Sequence, residues 1–422
     1  MTIENSQSPP PRVEALTGLR FIAAFSIAFG HTVPWSVSFW SLPPRALTAI
    51  GMPLFFTLSG FIIHYSHSKA FASSPWRTAA PDFAVARFSR IYPLYLALLL
   101  YALVQTPMGA RLASPDAYPF FGVYLLGIFT WFPFSIDGKP LAEWYYGIAW
   151  SVSTELFFYI CYALFLYRVA GIARLRAAVA GIAVFVILAF AAIYVVFVTS
   201  GAWEAWAIGI DPGIVPRTKD FKNSLFRWAL YHSPYSQILG FICGVLTCQL
   251  CLLVQRRDLA ARVPANILAW GSVLGIALLW WQLVRIGMTT PWQQTTNLAS
   301  FFVNSHMNMA MVPFCCALIF ALAIGKTSLG ALLSLPAVVF LGEISYSTYL
   351  SHPIAQQISG WIFGGTPLVV NICLTLVVIT ALAALFYFLI EVPAKRFLRR
   401  KWAERRSSKA HDRGRLASAD VQ

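Results

Sequence analysis

Arg20 and His31 lie eleven residues apart in LTGLRFIAAFSIAFGHT, residues 16–32, and every residue between them is uncharged. On an α-helix that separation is a rise of about 16 Å and three turns plus about 20°, so the two side chains share one face. A guanidinium at one end of such a face can hold an anion, and an imidazole at the other can move a proton. The plainer alternative is a snorkelling anchor and a satisfied core histidine.

Three further patterns carry chemistry. Arg87 and Arg90 in RFSRIYPLY are three apart on one helical face, which suits bidentate phosphate recognition, although arginines at such a place also serve as topology signals. AWSVSTELFFY holds Trp150, Ser151, Ser153 and Glu155, and a carboxylate in an apolar run needs a partner, which His31 or an arginine can supply. LGEISYSTYLSHP places Ser345, Tyr349 and His352 at i, i+4 and i+7, with Tyr346 on a neighbouring face. That stripe can line an acceptor cleft or act as helix-packing glue. Ser59 in FFTLSGFII has Thr57, not glycine, two residues before it, so it is no hydrolase nucleophile elbow and a close-packing role for Ser59-Gly60 is expected. His64, His67, His232 and His306 lack a ligand set at metal spacing, and no metal site is expected. GKTS at 325–328 resembles the end of a phosphate-binding loop by accident, because position 320 is Phe.

The elements that must position these residues are apolar. Of 422 residues 58% are hydrophobic and 11% charged, with a mean hydropathy of +0.67, which excludes an ordinary soluble enzyme. The net charge of +15 does not indicate nucleic-acid binding, since ten of the 31 Lys and Arg follow Pro393 directly after an apolar segment, as a cytoplasmic flank would. The seven cysteines all sit in apolar segments and are expected to be reduced core residues.

Apolar segments near 16–34, 47–66, 88–106, 118–134, 146–168, 177–199, 229–254, 265–286, 307–325, 336–356 and 366–390 make eleven candidates. Two basic ends on one side demand an even number. The 118–134 segment, bounded by Pro119 and Pro133, is the shortest and is expected to re-enter or lie at the interface. With it excluded, 23 of the 31 basic residues face the cytoplasm and eight face out; with it crossing, 12 face in and 19 out. The expectation is therefore an all-α, multi-pass transmembrane bundle of about ten spanning helices with both termini cytoplasmic, in the inner membrane. Residues 1–15 read as a disordered tail with no removable signal, 16–393 as the membrane domain and 394–422 as a basic cytoplasmic tail.

These elements, in this order, resemble the acyltransferase-3 family of membrane-bound O-acyltransferases. Arg20 and His31 match its first-span signature, FFTLSGF its second-span stretch, and Arg87 and Arg90 its Arg-x-x-Arg. WSVSTELFFY places its carboxylate at Glu155, ISYSTYLSHPI is similar to its late Ser-Tyr and His motif, and Glu391, Pro393 and Arg396 meet its terminal E-x-P-x-x-R. The resemblance implies transfer of an acyl group, commonly acetyl, from acyl-CoA to a hydroxyl of a surface polysaccharide or glycoconjugate, or of a small molecule such as an antibiotic. It implies that Arg20, Arg87 and Arg90 bind acyl-CoA as a co-substrate, with no permanent cofactor. His31 would be the general base with Glu155 behind it, and Ser59, Trp150, Ser153, Tyr346, Tyr349 and His352 would line the acceptor pocket. The stand-alone form, without a fused extracytoplasmic esterase-like domain, is expected. An organic-anion transporter and a non-catalytic membrane scaffold are the other classes compatible with an intramembrane Arg and His.

Overall fold

The computed structural model describes residues 14–34, 36–38, 43–104, 118–136, 139–144, 146–210, 214–289, 297–305 and 309–419. Of the tail expected over 1–15, residues 1–13 lie outside the described residues, as do Tyr145 and His306, whereas Glu14 and Ala15 open the first helix. The framework is helical: α1 (Glu14–Thr32), α2 (Thr48–Ser73), α3 (Trp76–Val104), α4 (Trp150–Leu164), α5 (Leu175–Val198), α6 (Pro234–Arg256), α7 (Ala265–Thr289), α8 (Val312–Ile324), α9 (Pro336–Glu343), α10 (Ser345–Phe363), α11 (Leu368–Phe386) and α12 (Val392–Ala419). Among the described residues the sheet content is one antiparallel pair, Ser135–Ile136 with Lys139–Pro140.

Among the described residues, seven stretches are long and apolar enough to cross a membrane: Pro44–Ser73, Trp76–Val104, Gly147–Leu164, Leu175–Val198, Leu225–Arg256, Ala265–Met288 and Leu368–Ser408. Burial sorts them into centre and rim. The apolar window of Leu225–Arg256 is 72% buried, whereas that of Leu175–Val198 is 17% buried at a hydropathy of 2.9. Exposed Ile187 and Leu188 on such a rim helix are compatible with lipid as the surrounding solvent.

The 118–134 stretch forms an eight-residue helix, Tyr118–Leu125, about 12 Å long and far short of a roughly 30 Å hydrocarbon core. A Schellman closure ends it: Ile128 N donates to Val123 O and Gly127 N to Tyr124 O, both at 2.9 Å, with Gly127 at φ +66°.

Small residues let the central backbones touch. A Cβ on Gly60 would lie 2.0 Å from the Phe241 carbonyl oxygen, and one on Gly244 would lie 1.9 Å from that of Thr57, so α2 and α6 pack reciprocally. The close-packing role expected of Gly60 is what this contact performs. α1 is clasped in the same way, with Gly18 against Leu333 O and Gly342 of α9 against Thr17 O. That clasp fixes the height and rotation of Arg20.

At the far end of the chain a π-helical turn, Tyr387–Glu391, joins α11 to α12 and turns Glu391 inward, where it accepts from Ser347 Oγ at 3.0 Å. α12 lies along α3, held where Trp402 Nε1 donates to Asp82 Oδ1 at 2.7 Å and Arg406 pairs with the same carboxylate. The GKTS stretch does a local job, Thr327 Oγ1 accepting from Gly330 N as a helix cap.

Candidate active site

Five helices converge on one cavity with an empty volume of about 470 Å³. α1 supplies Arg20, α2 Ser59, α3 Arg87 and Arg90, α4 Glu155 and Tyr159, and α10 Ser345 and Tyr346, while Phe55, Ile62 and Ile91 give it apolar walls. Five separate sequence motifs thus meet around one cavity. The spacing explains how: Arg87 and Arg90 are one helical turn apart, and Ser59 lies between Thr57 and Gly60, the α2 positions that touch α6.

The cavity is electrostatically unbalanced. Three guanidiniums line it against one carboxylate, and among the described residues none of the three lies within ion-pair distance of an acid. The Glu155 carboxylate instead accepts from Ser59 Oγ at 2.9 Å. Arg87 is buried; its guanidinium donates to His67 Nε2 at 2.6 Å, its Nε has no partner, and its charge sits over the Phe83 ring at 5.9 Å. An uncompensated buried cation is expensive unless a ligand supplies the missing negative charge.

A second cavity, with an empty volume of about 340 Å³, shares Phe55, Glu155 and Tyr346 with the first and extends to Ser151 and Tyr349. The stripe Ser345–Tyr349–His352 therefore climbs from the first cavity through the second. At its top His352, fully buried, meets His31: Nε2 of His352 lies 2.9 Å from Nδ1 of His31. The group expected behind the His31 imidazole was Glu155; the structure places His352 there and ties Glu155 to Ser59. His31 itself lines neither cavity, the upper one ending at Tyr349, whose ring is 6.0 Å from that of His352.

Trp150 and Ser153 also depart from the pocket lining expected of them. Trp150 is packed edge-on to Phe56 and against Tyr231 and His232. Ser153 Oγ accepts from Thr130 N and Thr130 Oγ1, pinning the stretch that follows the short 118–125 helix. Both are one helical face away from Glu155, and helix α4 can turn only one face to the cavity. Tyr346 does line it, its hydroxyl donating to Ile91 O at 2.6 Å.

Two contributors escaped the sequence reading. Tyr159 follows Glu155 by one turn and lines the same wall, a signal present in the i, i+4 spacing. His67 meets Arg87 across two helices, and nothing local announces it. His64 is a satisfied core histidine between Tyr162 Oη and Gln249 Oε1, each at 3.2 Å. Cys248 and Cys251 have C-x-x-C spacing on α6, yet both are buried free thiols, and no group of three or more metal-binding side chains occurs among the described residues.

The acyltransferase-3 family model, described as an acyltransferase domain, matches residues 13–388. The chain is 35% identical over 171 residues to protein 2 in the picA locus of Rhizobium radiobacter, a match covering 37% of this chain and 84% of that protein. It is 32% identical over 205 residues to acyltransferase MdmB of Streptomyces mycarofaciens, covering 45% of this chain and 48% of that one. Nodulation protein 10 of Rhizobium leguminosarum bv. viciae is 28% identical over 158 residues, covering 34% and 41% of the respective chains. No solved structure matches.

Proposed function

Because the chain belongs to the acyltransferase-3 family, we propose that it is an integral membrane O-acyltransferase that moves an acyl group, acetyl foremost, from acyl-CoA to a carbohydrate hydroxyl of a surface polysaccharide or glycoconjugate. The observation that carries this reading is the charge excess of the first cavity, three arginines against Glu155 alone. An apolar neutral substrate has no use for it; the phosphates of coenzyme A do. The donor's thioester arm would rise from the arginines past Phe55 and Tyr346 toward Tyr349, and its carbonyl would be delivered near His31.

In this reading His31 is the general base. It takes the acceptor's hydroxyl proton as the oxygen attacks the thioester carbon; the C–O bond forms, the C–S bond breaks, and the proton passes to the departing thiolate. Direct transfer of this kind needs no acyl-enzyme, and Ser59 is engaged with Glu155. The topology proposed with it has ten crossings, adding α1, α10 and the shorter α8 to the seven long stretches, and places both termini and the arginine cavity on the cytoplasmic side of the inner membrane, where acyl-CoA is made. Exposed Trp206, at the opposite end in this topology, offers a ring for a sugar face.

Cells with and without the protein, and cells carrying His31→Ala, provide the test. Mass analysis of their surface glycans is expected to show acyl esters only with the wild-type chain. Identical glycans in all three would overturn the acceptor class, and a fully active His31→Ala would overturn the base.

A further inference from the structure

Pro353 lies inside α10 and has no N–H to give. In an unbroken helix that position would donate to the Tyr349 carbonyl four residues earlier. The freed carbonyl is taken instead by the neighbouring side chain: His352 Nδ1 lies 2.6 Å from Tyr349 O.

A chain of hydrogen positions follows. A carbonyl oxygen can only accept, so His352 Nδ1 carries a hydrogen, and in the neutral ring its Nε2 is bare. That bare nitrogen is the one 2.9 Å from His31 Nδ1, so His31 Nδ1 must be the donor. Neutral His31 is then left with its lone pair on Nε2. The opposite polarity would require His352 to hold two hydrogens as a cation. His352 is fully buried, the ring beside it is Tyr349, and among the described residues the charge that acts on His31 is that of Arg45, itself a cation.

We propose that His352, locked by the carbonyl that Pro353 releases, is a positioning residue that fixes His31 in the tautomer whose Nε2 is free to accept a proton. The inference rests on the reading of His31 as the base. It explains why a histidine is followed at once by a helix-interior proline. It also accounts for the second role His31 needs, since its Nδ1–H stays donated to His352 while Nε2 is charged, so the imidazolium formed during attack is held in place until the thiolate takes the proton.

The test uses vesicles from cells expressing the full chain, labelled acetyl-CoA as donor, and acetyl ester formed in vesicle glycan as readout, with thermal stability of each purified variant recorded alongside. His352→Gln keeps the polarity, its amide NH₂ facing Tyr349 O and its Oε1 facing His31, and is expected to retain rate within about 10-fold. His352→Phe removes it and is expected to lower kcat by about 100-fold or more, with the KM for acetyl-CoA within about 2-fold of wild type. Pro353→Ala restores a backbone donor that competes for Tyr349 O; it is expected to lower kcat although a bare helix argument predicts a neutral or stabilised protein. Equal rates for folded Gln and Phe variants, or a Pro353→Ala protein with wild-type kcat, would overturn the tautomer lock alone. An active His31→Ala would overturn the base assignment and the lock together, and an inactive wild type would overturn the acyltransfer reading beneath both.

Discussion

The two ends of α1 present opposite solutions to the problem of an ionisable group in an apolar bundle. Around Arg20 positive charge accumulates beside empty space, with no acid within ion-pair distance among the described residues. Around His31 the imidazole donor has a buried acceptor, and that acceptor has its own fixed donor bond. The first arrangement leaves hydrogen-bond capacity unspent; the second is complete except for one lone pair. A binding surface benefits from unspent hydrogen-bond capacity, whereas a proton acceptor benefits from having every alternative spent.

The largest expected effect erases the contrast altogether. Gly60→Val would push a side chain into the Phe241 carbonyl, 2.0 Å from where its Cβ must sit, and neither backbone can yield. A loss of more than about 3 kcal/mol and a collapse of folded yield are expected, measurable by size-exclusion profile, with both ends of α1 lost together. Next comes the separation of the two ends in a folded protein. Arg90→Glu should raise the KM for acetyl-CoA by about 100-fold while sparing the chemistry step, because it replaces a charge-assisted donor with a repelling acid. His31→Gln should do the reverse, lowering kcat at a nearly constant KM. If both variants moved the same constant, the division of labour along α1 would be wrong. The smallest effect belongs to Ser59→Ala, which removes only the donor to Glu155 Oε1. Its KM for acetyl-CoA is expected to move by about 2–5-fold, and its kcat not at all.

Much of the arginine end is legible in the sequence, because charge in an apolar run is scarce and each case has to be explained. Arg20, Arg87, Arg90 and Glu155 were singled out on that ground and the cavity gathers all four. That 118–134 is too short to span is legible too, from its bounding prolines, although the eight-residue helix at its start is not. The histidine end was harder. Spacing along α10 put His352 on a stripe with Ser345 and Tyr349, but which helix that stripe would meet is a tertiary fact, and Glu155 was a chemically reasonable partner that the fold assigns to Ser59. Trp150 and Ser153 share a motif with Glu155 but not its helix face, because a face is narrower than a motif. Nothing local singles out Pro353; its effect on the neighbouring imidazole emerges only from where the Tyr349 oxygen points.

α12 is a strut, not a loose end. Through Trp402 and Arg406 it braces Asp82 on α3, the helix that carries both Arg87 and Arg90, and through Glu391 it begins against Ser347 on α10. Cutting the chain after Leu398 would therefore unhitch the floor of the cavity from outside it, and a reporter fused to this terminus would ride on a lever whose short arm reaches Arg87 and Arg90.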